Sequence, residues 1–133
     1  MLGTALMRLI HAKTLCTLAA MTALTGPAFA HHAGNAFDMS RSETISGTVS
    51  QWLWTNPHTW IYLSVPTAAG DVEYRFEGMA ISILARTGWT SKSLKAGDKI
   101  SVSFAPYKDE RKGGEYRTVT TADGTRLGQA GGL

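Results

Sequence analysis

Between Thr44 and Leu127 short β-type runs alternate with turn residues, and the pattern breaks once, after Gly78, where apolar residues take helical spacing. Thr44–Trp54 is rich in Thr, Val, Ile and Trp and contains Gly47, a residue that inside a strand marks a bulge or sharp bend. Thr55–His58 reads as a turn, because Asn favours turns and Pro offers no ladder donor. Thr59–Val65 then puts Trp60 and Tyr62 on one face and Ile61, Leu63 and Val65 on the other. Beyond the Ala69–Asp71 turn, Val72, Tyr74 and Phe76 alternate against Glu73, Arg75 and Glu77. Met79–Thr87 is expected as the helix, stopped by Gly88, with Trp89–Leu94 as a further helical turn. Lys99–Ala105, Tyr116–Ala122 and Thr125–Leu127 supply the last strands, and Pro106–Glu115 reads as a charged loop.

Three strands, one helix and two strands with a short extra one is the order of a mainly β, OB-like antiparallel barrel. It has five to six strands, with one short helix between strands 3 and 4. Gly47 offers the bend that the first strand of such a barrel needs. A plain antiparallel sheet with a helix on one face shares this element order and stays open as an alternative.

The ends of the chain read differently. Met1–Ala30 has a positive start (Arg8, Lys13), an apolar run at Thr14–Thr25 and a small-x-small ending at Ala28–Ala30, the pattern of a cleaved secretory leader. Gly26-Pro27 interrupts the run well short of the ~20 residues that span a membrane. Residues 31–43 read as an N-terminal arm, 44–128 as the β-rich domain and 129–133 as a flexible, Gly-rich tail. The expected location is periplasmic or secreted, with no membrane anchor once the leader is removed.

The 133-residue chain carries 13 Lys and Arg against 10 Asp and Glu, but cleavage after Ala30 removes two of the cations and leaves +1. That charge provides no footprint for nucleic acid. The single cysteine, Cys16, also lies in the leader, so residues 31–133 have neither disulfide nor thiolate. No Gly-x-Ser-x-Gly elbow is present, and hydrolytic or nucleophilic catalysis finds no motif. The expectation is a binding module rather than an enzyme.

Three histidines remain after cleavage: His31, His32 and His58. An N-terminal His31 offers its amine and its ring nitrogen to one ion. With His32 and a distant His58, this makes a nitrogen set suited to copper(II), or to zinc with water or Asp38 added. Terminal histidines on an arm also bind divalent ions adventitiously, and His58 has an ordinary use within its turn. Trp52, Trp54 and Trp60 form the other candidate surface, open to a protein or envelope component, although a small core without disulfides also consumes large rings.

Several motifs stand in a familiar order: His31-His32, Gly47-Thr48-Val49, Trp54-Thr55-Asn56-Pro57-His58, Glu77-Gly78, Arg86-Thr87-Gly88-Trp89, Ser93–Asp98 and Thr120–Gly124. Together they resemble the small exported bacterial proteins grouped as domain of unknown function 6152. The resemblance implies an exported, small β-rich domain and places His31, His32 and His58 at signature positions. It implies no activity. Ala96 departs from a familiar form of the later motif that has Pro there.

Overall fold

The computed structural model describes residues 36–129. The arm residues His31 and His32, the leader and the tail beyond Gln129 lie outside them. Six strands are present: β1 (Glu43–Leu53), β2 (Trp60–Thr67), β3 (Gly70–Glu77), β4 (Lys99–Pro106), β5 (Gly113–Thr121) and β6 (Arg126–Gly128). One short helix, α1 (Ile81–Leu84), runs into a 3-10 turn at Ala85–Thr87 between β3 and β4. Gly88, in the left-handed conformation at φ 92°, ends it as expected.

β1 is shared between two partners. Its first half, Glu43–Thr48, pairs with β4, and its second half, Thr48–Leu53, pairs with β2. The changeover needs a bend, and the sequence supplies it twice. A Cβ on Gly47 would run into the Ser64 carbonyl oxygen, and the register with β2 shifts between Val49 and Gln51. Parallel pairing of β3 with β5 (Arg75↔Gly113, Phe76↔Gly114, Glu77↔Glu115) closes the sheet. The result is a closed five-stranded barrel with β6 added beside β5, and the open sheet with a helix on one face is excluded.

Strand alternation fills the interior. Ile61, Leu63 and Val65 of β2, Phe76 of β3, Val102 and Phe104 of β4, and Tyr116 and Val119 of β5 are buried together with Leu84, Trp89 and Leu94. Phe76 and Phe104 meet edge to face at 4.8 Å. Tyr116 fits because Gly78 beside it has no Cβ, and its hydroxyl lies 2.9 Å from the buried Thr59 hydroxyl. Removal from water pushes the Tyr116 phenol strongly upward.

Three local expectations need correction. Trp89–Leu94 is turn and bend rather than helix: the Thr90 N–H donates to Ser93 Oγ (2.8 Å) and the Lys92 N–H to Thr90 Oγ1 (3.1 Å). Such hydroxyls compete with helical hydrogen bonding. Gly113–Glu115, expected as loop, is the start of β5. Gln129, at the head of the tail, is 4 % exposed and clamps the barrel. It accepts from the Met79 N–H at 2.6 Å and donates to the Tyr116 carbonyl. The arm also packs where it is described: Phe37 bridges to Tyr107, and their rings lie 5.0 Å apart.

Candidate functional site around His58

The β1–β2 turn is stitched to the segment after β3. Asn56 Oδ1 accepts from the Ile81 N–H (3.2 Å) at the start of α1, which the local residues leave uncapped. The Gly78 N–H donates to the Thr59 carbonyl at 2.8 Å, and the Thr59 hydroxyl donates to Met79 O at 3.1 Å. The Asn56-Pro57 bond within the turn is cis.

This stitching sets His58 against the end of β3. Its Nδ1 lies 2.7 Å from Glu77 Oε1 and 3.1 Å from the Gly78 carbonyl oxygen. Both neighbours are acceptors, so Nδ1 carries the proton, and in the neutral ring Nε2 holds the free lone pair. The His58 side chain is 39 % exposed and that of Glu77 16 %, so the carboxylate is the sheltered partner.

Glu77 also acts on charged and polar neighbours across the sheet. It stands opposite Trp60 on β2 and opposite Glu115 on β5. Burial pushes the half-buried Glu115 carboxyl upward, and the Glu77 charge adds to this while Arg117 and His58 oppose it. Burial likewise raises the Tyr107 hydroxyl, again with a contribution from Glu77. The Arg111 guanidinium lies 4.0 Å from the centroid of the Tyr107 ring, and Arg75 lies 5.4 Å from that of Tyr62.

Of the sequence-predicted metal ligands, His58 and the alternative zinc ligand Asp38 lie among the described residues, and Asp38 Oδ1 accepts from the Ser40 N–H (3.2 Å) and hydroxyl (2.6 Å). Among those residues no group of three or more His, Cys, Asp or Glu is arranged to hold a metal ion. The candidate tryptophans separate. Trp52 and Trp54 pack against the core, their rings 5.6 Å apart, and Trp52 lies 5.4 Å from Trp89. Trp60 is elsewhere: it lines an outer groove of about 320 Å³ with Glu73, Arg75, Tyr107, Arg111 and Lys112. Sequence reasoning missed Glu77, Glu115, Tyr107 and Arg111. The polar alternation of β3 had put Glu77 on the outer face, yet no spacing links it to His58.

A wider hollow of about 520 Å³ is lined by Ser46, Thr48, Lys99, Ser101 and Thr120 among others. It has no aromatic ring and none of the candidate residues in its lining. Among the described residues no helix is long and apolar enough to cross a membrane.

The closed barrel, the helix between β3 and β4 and the histidine held at the β1–β2 turn define a small OB-like β-barrel protein. The chain belongs to the family of unknown function DUF6152, whose sequence model matches residues 19–116. No curated protein and no solved structure matches the chain.

Proposed function

We propose that the chain is an exported binding module, periplasmic or secreted, that takes a copper or zinc ion through His31, His32 and His58 and is not itself an enzyme. One observation carries this reading: Glu77 and Gly78 take the Nδ1–H of His58 and leave Nε2 to coordinate. Histidines that ligate metals are held in this way, with the other ring nitrogen donating to a carboxylate or backbone carbonyl. The remaining nitrogens come from the His31 amine and ring and from His32.

Calorimetric titration of Cu(II) and Zn(II) into protein beginning at His31 tests it. One ion per chain at sub-micromolar affinity is expected, weakened when one residue is added before His31. Absence of stoichiometric binding would overturn it.

A second reading, a metal-free module that binds a protein or another envelope component, is favoured by the place of Trp60 on the outer face. In that case Trp60→Ala abolishes partner capture and leaves metal content unchanged.

A further inference from the structure

The groove beside Trp60 carries chemistry that the metal reading does not use. Its lining has three cations, Arg75, Arg111 and Lys112, against one carboxylate, Glu73, on a chain that carries only +1 over residues 31–133. Two nearby rings are already covered, Tyr62 by Arg75 and Tyr107 by Arg111. Trp60 has no such guanidinium over it among the described residues, which makes it the ring on offer. Arg75 is fastened through Nε to Glu73 at 3.0 Å, and Arg111 through Nε to Asp109 at 2.9 Å. Those contacts leave the Nη edges as donors for a carboxylate.

The surroundings narrow the ligand. From Arg75 to Glu77, beside Trp60, β3 pairs with β5 and closes the barrel, so the main chain there offers no edge to which a peptide strand could add. A nucleic-acid strand, with a charge about every 3.4 Å, would meet Glu77 and Glu115 on the adjoining row as well as Glu73. A chain of sugar acids differs from both. Each of its rings has an apolar face suited to stacking and a single carboxylate at its edge, matching one open ring among separated cations.

We infer that this groove binds an acidic saccharide, with a sugar ring on Trp60 and its carboxylate between Arg75 and Arg111. This gives the second reading above a partner chemistry and rests on it; the metal ion plays no part.

The test uses the intact, isotope-labelled protein in chelator, with the Trp60 indole N–H and the Arg111 Nε–H followed by NMR. Four probes are compared: a galacturonic-acid trimer, a neutral trisaccharide, inorganic phosphate and an acidic hexapeptide. The uronate trimer should shift both signals saturably and the neutral trisaccharide should not. Trp60→Ala should weaken binding at least tenfold. Arg111→Gln, on the exposed loop between β4 and β5, should weaken it at least fivefold. Equal binding of phosphate would reduce the groove to a general anion surface and overturn the inference. Shifts with the hexapeptide alone would overturn the saccharide but keep the second reading. No shift with any probe would overturn both.

Discussion

His58 Nδ1 and Glu77 Oε1 are 2.7 Å apart, although 19 positions separate the two residues in sequence. The contact fixes which ring nitrogen carries the proton. Nitrogen shifts of the neutral ring should therefore report the Nδ1–H form, and Glu77→Ala should move the population towards Nε2–H. Loss of this supporting carboxylate should weaken zinc binding by about tenfold, at the low end for outer partners of metal-bound histidines.

Barrel closure rests on two glycines. A Cβ on Gly113 would overlap the Arg75 carbonyl, and one on Gly114 would overlap the Ala105 carbonyl. Both obstacles are backbone, so neither can swing aside. Gly114→Ala should cost about 3 kcal/mol in urea unfolding, the upper part of the overpacking range. Gly124→Ala, in a turn where an added Cβ meets nothing, should cost less, its expense being the positive φ of 88°.

Gln129 is the clamp between β5 and the segment before α1. Gln129→Ala leaves the buried Tyr116 carbonyl and the Met79 N–H without that partner. The expected loss is about 1–3 kcal/mol, read as a lower urea midpoint with an unchanged slope.

Glu115 should make stability depend on pH. Its carboxyl is raised in the folded state by burial and by Glu77, so folding favours the protonated form. That contribution is fully present below the ordinary carboxylate value and is lost as pH rises through the raised one. Glu115→Gln should accordingly raise Tm relative to the unaltered protein at pH 7, and the difference should fade towards pH 4. Thermal melts of both proteins across that interval measure it.

Strand alternation made much of this fold legible. The pairing of Trp52 with Ile61 and of Leu53 with Trp60 follows from a turn centred on Asn56-Pro57, and the bend at Gly47 follows from its missing side chain. The barrel was the expected architecture, but the residues that close it were not legible, because Gly113 and Gly114 have no side chains from which to read a period. Gln129 was hidden in a glycine-rich stretch, since its role comes from two distant backbone groups. Of the candidate site, the lone His58 after its turn was visible in the sequence. Its partner Glu77 was one of several alternating charges, chosen only when Asn56 and Thr59 tied the turn to the residues after β3.

The central claim is that His58 belongs to a metal site completed by the N-terminal histidines. Its most direct test is the zinc dissociation constant of protein beginning at His31, compared with that of its His58→Ala variant. The account predicts at least a tenfold loss of affinity in a variant that still folds. An unchanged constant would contradict it, because the arm alone would then hold the ion.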